Sequence, residues 1–187
     1  MRLIVDSGST KTDWICINEK GEVLFDTKTK GLNPQVLTEQ IIEERVINNF
    51  DLYQNRKKIS HLYFYGAGCG TESPRKLIKK VFERIFINSL IDVKEDTYAA
   101  IYATCEPGIK SITSILGTGS NCTYYDGKNI LQKVDSLGYV LMDDASGNYF
   151  GRQLIRDYYF DKMPLAVQKS ISESFDMQSN TIKDHIY

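Results

Sequence analysis

Residues 1–18 read MRLIVDSGSTKTDWICIN. Arg2 to Val5 is a short apolar run closed by Asp6-Ser7-Gly8, the pattern of a buried strand entering a turn. Thr12 to Asn18 alternates apolar and polar residues, and Glu19-Lys20-Gly21 is a turn. Glu22 to Lys28 (EVLFDTK) pairs back as a third strand. Three strands joined by tight connections predict an antiparallel meander, broken at Gly31-Leu32-Asn33-Pro34.

Outward from the meander, apolar residues Val36, Leu37, Ile41, Ile42, Val46 and Ile47 fall close to helical spacing and predict an amphipathic helix from Gln35 to about Asn49. His61 to Tyr65 (HLYFY) is strand-like and ends at Gly66-Ala67-Gly68. Ser73-Pro74 predicts a second helix, with Ser73 as its cap and Leu77, Ile78, Val81, Ile85 and Phe86 as its apolar face. Ile91 to Val93 is a short strand leading to Asp96 and a helix from Thr97 to Cys105. The order β-β-β-α-β-α-β-α predicts an α/β fold with a mixed sheet.

After Glu106-Pro107-Gly108 the layout restarts. Ser111 to Leu116 is a strand, Gly117-Thr118-Gly119-Ser120 a turn, Asn121 to Tyr125 a strand, Asp126-Gly127 a turn and Asn129 to Val134 another strand. The repeat is in layout, not in letters, and divides the chain at 1–110 and 111–187. Two equivalent turns facing each other would form a cleft. Gly147 onward reads as a helix with Tyr149, Phe150, Leu154, Ile155, Tyr158 and Tyr159 as its buried face, and Leu165 to Tyr187 as one or two short helices. The second unit has no later strands to complete its sheet, so the chain reads as cut short.

Composition narrows the function. With 187 residues, 42% of them apolar, the chain can bury a real core, which excludes disordered and disulfide-miniprotein classes. A formal charge of −1 offers no basic excess for a nucleic-acid backbone. No run of 18 apolar residues signals a membrane span. Cys16, Cys69, Cys105 and Cys122 lie far apart with no CxxC, and two histidines cannot build a His-based metal centre by themselves. Free thiols and the lack of a signal-type apolar segment at the start point to the cytoplasm.

The turn Asp6-Ser7-Gly8-Ser9-Thr10-Lys11-Thr12-Asp13 carries small residues, hydroxyls and one lysine. Small residues let backbone N–H groups approach an anion, and Asp6 at a strand end is placed to hold Mg²⁺ through water beside phosphate oxygens. A polar hairpin turn with Asp6 satisfying backbone donors stands beside that reading. Gly117-Thr118-Gly119-Ser120-Asn121 is a second donor-rich turn, and two at equivalent points match phosphoryl transfer.

Asp6-Ser-Gly-Ser-Thr-Lys-Thr and Leu116-Gly-Thr-Gly-Ser-Asn resemble the two phosphate motifs of the actin, hexokinase and sugar-kinase superfamily. With Gly117 to Cys122 and Leu137 to Gly147, the sequence most resembles N-acetylglucosamine kinases and the related BadF/BadG/BcrA/BcrD-type ATPases. The resemblance implies two ribonuclease-H-like domains, the second incomplete, around a site for ATP and Mg²⁺. It implies that Gly8, Ser9, Thr10, Lys11, Thr12, Gly117, Thr118 and Gly119 contact ATP, with Asp6 near the metal. Asp96 would be the general base and also touch the sugar, its alternative being a helix cap. Asn33, Ser120, Asn121, Gly138 and Asp143 would complete the sugar pocket.

Where the family usually has Gly-Asp-Glu-Gly, this chain has Met142-Asp143-Asp144-Ala145, which adds bulk beside the sugar site. The family's adenosine-binding Gly-Gly motif would lie beyond Tyr187. Cys105 and Cys122 do not match the paired cysteines of the iron–sulfur activators in this superfamily. The function implied is an ATP-dependent amino-sugar kinase. An ATP-binding regulatory module or an inactive fragment are the alternatives, with homodimerisation as a way to cover exposed apolar surface.

Overall fold

The computed structural model describes residues 1–134 and 136–186. The chain divides into two compact units, one of Met1–Ile115 with Cys122–Lys133, the other of Leu116–Asn121 with Val134–Tyr187.

The first unit is built on the meander. β1 (Arg2–Ser7), β2 (Lys11–Ile17) and β3 (Val23–Lys30) pair antiparallel, while β4 (His61–Gly66) and β5 (Leu90–Glu95) add parallel to β1 in the order β3-β2-β1-β4-β5. Because strand side chains alternate, β1 buries Leu3, Val5 and Ser7 and turns Ile4 and Asp6 to the opposite face. The buried face packs on α1 (Glu39–Ile47), α2 (Phe50–Asn55) and α3 (Glu72–Ile85). Phe82 of α3 is its aromatic centre, 5.2 Å from Phe64 and 6.0 Å from both Trp14 and Phe86 between ring centroids. α4 (Asp96–Thr104) lies on the other face, against β1, β4 and β5.

Several boundaries differ from the sequence reading. The first predicted helix, 35–49, begins only at Glu39, because Asn33 ties up the residues before it. Its side-chain oxygen accepts from Gln35 N, and its carbonyl accepts from Val36 N and Leu37 N. Thr38 then caps α1, and Asn49 caps a separate α2. Only Ile42 and Val46 of α1 are buried; Val36 is exposed. α3 starts at Glu72 with Thr71, not Ser73, at its cap, and Pro74 still falls in the first turn, where its missing N–H costs nothing. α4 starts at Asp96 with Glu95 at the cap position, so Asp96 is the first helical residue and not the cap.

β6 (Ser111–Leu116), β7 (Ser120–Tyr125) and β8 form a three-stranded sheet in that order. β8 is only Ile130–Leu131, shorter than the predicted 129–134, because Asp126 draws Lys128 N and Asn129 N into its own side-chain turn. The second unit holds α5 (Gly147–Tyr159), α6 (Leu165–Ser174) and α7 (Ser179–Ile186). The predicted tail helices are therefore two; Tyr187 lies outside the described residues. The predicted apolar face of α5 is not buried: no residue of α5 is, and Phe150, Leu154 and Tyr159 are exposed. The spacing is helical, but among the described residues this unit has no complete sheet for that face to pack on.

Candidate functional site

In the first unit, three loops lock together at the ends of β1, β3 and β4. Gly8 N donates to Lys11 O (2.9 Å) and closes the turn between β1 and β2. Beneath it, the buried Ser7 and Thr12 share a 2.8 Å hydroxyl hydrogen bond. Thr12 also donates to Lys30 O, and Ser7 Oγ accepts from Leu32 N. Gly31 N donates to Thr10 O, and the Gly31 carbonyl accepts from Arg45. A Cβ on Gly31 would stand 2.2 Å from Ser9 O, so only glycine lets the two backbones meet. Asn33 Nδ2 donates to Ser9 Oγ (3.2 Å), and Ala67 N to Ser7 O (2.8 Å). Gly68, at φ +79°, leaves room for Asn33 Oδ1, which a Cβ would approach to 2.2 Å.

Beside these loops lies a cleft of about 680 Å³. Ile4, Tyr65, Ala99, Ala100, Tyr102, Ala103 and Ile115 form an apolar wall, and Asp6, Gly8, Lys11, Asp13 and Asp96 line the rest. The structure thus brings Asp6, Gly8, Lys11 and Asp96 to one cavity. Ser9 and Asn33 meet beside it, and Thr12 braces the turn from inside. A second hollow of about 380 Å³, between β3 and α1, holds none of the predicted site residues.

Charge in the cleft is unevenly compensated. Burial, then the neighbouring Glu95 carboxylate, then Asp6, push the Asp96 carboxyl up to about 6; the N–H groups of Thr97 and Asp96 at the helix start oppose them. Burial and Asp13 raise Asp6, with Lys11 pulling the other way. Burial also raises Glu95, offset by the Thr97 hydroxyl and Arg75. The Cys69 thiol is pushed up to about 12 by burial and by Asp96. Asp13 alone is held low, chiefly by Lys11. Glu95 and Asp13 were not singled out from sequence, although hairpin pairing sets Asp13 opposite Asp6 and Glu95 adjoins Asp96.

Among the described residues no group of three or more His, Cys, Asp or Glu is placed to hold a metal by itself. Magnesium needs less, because it keeps several waters and takes one or two carboxylates together with phosphate oxygens. Asp6 fits that demand: a carboxylate on the cleft, raised by desolvation and faced by the Asp13 carboxylate across the strand pair, is a position a divalent cation relieves.

In the second unit, Gly117 N donates to Gly119 O (2.9 Å), and the turn is clipped to the start of α5 by Gly147 N to Gly117 O (2.8 Å) and Asn148 N to Thr118 O (3.3 Å). Ser120 Oγ donates to Asp144 O (2.7 Å), and a Cβ on Gly119 would lie 2.4 Å from Asp143 Oδ2. Gly117, Thr118, Gly119, Ser120 and Asp143 therefore share one locality. Asn121 follows on β7. Gly138 is part of a separate turn, its carbonyl accepting from Leu141 N and Met142 N. Asp143 and Ala145 have φ of 63° and 61°. Aspartate tolerates that region; alanine pays about 1–2 kcal/mol for it, a cost that glycine at position 145 would not carry.

The chain is similar over its whole length to a candidate N-acetylglucosamine kinase from Porphyromonas gingivalis, with 34% identity and a TM-score of 0.86, and it spans 66% of that chain, just under two thirds. A candidate N-acetylglucosamine kinase from Chromobacterium violaceum shares the fold at 14% identity and TM-score 0.69, over 98% of this chain and 66% of that one. The inorganic polyphosphate/ATP-glucomannokinase of Arthrobacter sp. strain KM shares it at 16% identity and TM-score 0.51, over 82% and 72%. No protein-family model and no curated protein matches the sequence. Among the described residues no helix is long and apolar enough to cross a membrane. With the strand order β3-β2-β1-β4-β5 and this likeness along its full length, the chain has a ribonuclease-H-like α/β fold and is similar throughout to a candidate N-acetylglucosamine kinase.

Proposed function

We propose that the protein acts in an ATP-dependent sugar kinase that phosphorylates a hydroxyl of an amino sugar such as N-acetylglucosamine, in the cytoplasm. The observation that carries this reading is Asp96: a shielded carboxylate with its pKa near 6, at the start of a helix, on the same cleft as Asp6 and the Gly8–Lys11 turn.

Asp96 is mostly ionised at neutral pH, yet basic enough to accept a proton. It takes the acceptor hydroxyl's proton as the new P–O bond forms and the bond to the ADP oxygen breaks. Ser9 and Thr10 supply N–H and hydroxyl donors to phosphate oxygens, Gly8 closes the turn without a side chain in the phosphate's way, Lys11 supplies charge, and Thr12 holds the turn in shape. The Gly117–Gly119 turn serves phosphates in the same way. Asp6 would hold magnesium, largely through water, and magnesium neutralises phosphate oxygens when bound. Asn33, Ser120, Asn121, Gly138 and Asp143 contact the sugar, Asn33 from a position fixed by Ser9 and Gly68.

The test is ADP release measured across a panel of hexoses and amino sugars. Sugar-stimulated release, lost by about 10²- to 10⁴-fold in Asp96→Asn with ATP affinity within about twofold, is the expected result. Slow hydrolysis indifferent to every sugar points instead to an ATP-responsive regulatory module, and full activity in Asp96→Asn removes Asp96 as the base.

A further inference from the structure

On the cleft-facing side of the sheet, four charged residues sit on neighbouring positions of β1, β2 and β3. Asp13 stands opposite Asp6 on one side and opposite Lys28 on the other. Lys11, two residues before Asp13 on the same face, reaches back to it. The Lys11 ammonium lies 3.1 Å from Asp13 Oδ2, and the Lys28 ammonium 3.4 Å from Oδ1. Each oxygen of one carboxylate thus has its own lysine. Both lysines are well exposed, at 72% and 71%, whereas Asp13 is at 30%. The carboxylate is the fixed member and the ammonium groups are the movable ones.

Only one of these lysines lines the cleft: Lys11 does, with Asp6, Asp13 and Asp96, and Lys28 does not. We propose that Asp13 is a positioning residue that holds the Lys11 ammonium at the cleft until a polyphosphate draws it away, with Lys28 remaining to compensate the carboxylate. This deepens, and rests on, the reading of the Gly8–Lys11 turn as a phosphate site.

The physical need is clear from the register. If Lys11 left Asp13 for an incoming anion and nothing replaced it, Asp13 would face Asp6 across the strand pair as an uncompensated like charge, close to a polyanion. Lys28 removes that penalty without entering the cleft. Exchanging one exposed partner for another is inexpensive, because exposed ion pairs are individually weak. Lys11 can therefore be held in place at rest and still be released.

Simple long-range charge would also make Lys28 favourable to an anion, so the deciding experiment is a double-mutant cycle. The probe is inorganic tripolyphosphate, titrated calorimetrically into the full chain at fixed low salt. Lys28→Met is expected to weaken binding about two- to fivefold in the otherwise unchanged protein, and to have no measurable effect in the Asp13→Asn background. Equal losses in both backgrounds, or no loss in either, overturn the proposal and leave the phosphate reading intact. Lys11→Met is expected to remove most of the binding. If it does not, or if the unchanged chain does not bind tripolyphosphate at all, the phosphate reading falls and this proposal with it. A ligand-free measurement stands apart: in NMR spectra of the lysine Nζ groups, Asp13→Asn should move the Lys11 and Lys28 signals together, and an unmoved Lys28 signal refutes the shared carboxylate.

Discussion

Asp96→Asn should make the protein more stable, and by an amount the structure sets. Burial beside Glu95 and Asp6 raises the Asp96 carboxyl from an ordinary 3.8 to about 6. Between those values the folded chain keeps a proton that the unfolded chain has released. The contribution of this group to stability is therefore complete below 3.8, falls as pH rises through the window, and is gone above about 6. At about 1.4 kcal/mol per pH unit, the deficit at pH 8 is about 3 kcal/mol, shrinking to about 1 kcal/mol at pH 4.5. Asparagine has nearly the same shape, carries no charge, and still offers an oxygen to the N–H groups at the start of α4. Its expected gain follows the same curve. Urea unfolding, followed through the fluorescence of Trp14 (the single tryptophan, fully buried beside Phe82), reads the difference directly. With a slope of about 2 kcal/mol/M, the midpoint at pH 8 should rise by about 1.5 M. No gain at pH 8, or the same gain at pH 4.5 and pH 8, would refute the argument that a desolvated charge is what raises this carboxyl.

Other consequences can be measured on the same material. A thiol reagent at pH 8 should label the exposed Cys122 and the half-exposed Cys105, whose thiol is lowered by the Thr113 hydroxyl, before unfolding; Cys16 and Cys69 should be labelled only afterwards, and mass spectrometry of a native digest showing modified Cys69 contradicts this. Gly31→Ala should cost more than about 2 kcal/mol, because its Cβ would meet the backbone at Ser9. Gly21→Ala, with nothing within 4 Å and only a φ of +84° to sustain, should cost about 1 kcal/mol; similar denaturation midpoints for the two would show that the Gly31 contact gives way easily. Phe82→Ala should lose about 3–5 kcal/mol, and a loss under 1 kcal/mol in urea unfolding would mean the aromatic cluster is not the centre of the core.

The meander was legible because its turns are marked and its strands alternate, and local sequence decides both. The parallel strands β4 and β5 were legible as apolar runs, although nothing local orders them beside β1. What escaped was decided by partners distant in sequence or by competing short-range bonds. Asn33 captures Gln35, Val36 and Leu37 and delays α1, an outcome that apolar spacing does not register. The periodicity of α5 names the residues that share a face, yet burial needs a surface to pack on, and periodicity carries no information about one.

The site divides along the same line. Asp6, Gly8, Lys11 and Asp96 could be picked out because each has a motif or an element boundary to mark it. Asp13 and Glu95 have none, and after burial they are the neighbours that most alter how the marked ones behave. Asp13 adds to the burial that raises Asp6, and it holds Lys11; Glu95 is the largest charged influence on Asp96. Their effect comes from register and burial: a one-residue slip of β2 against β1 would turn Lys11 and Asp13 together to the other face, away from Asp6 and the cleft. A motif therefore identifies which groups are present in a phosphate site. The proton affinity of its base and the resting place of its lysine are properties of the sheet, and substitutions at the unmarked carboxylates should change both while leaving the motif intact.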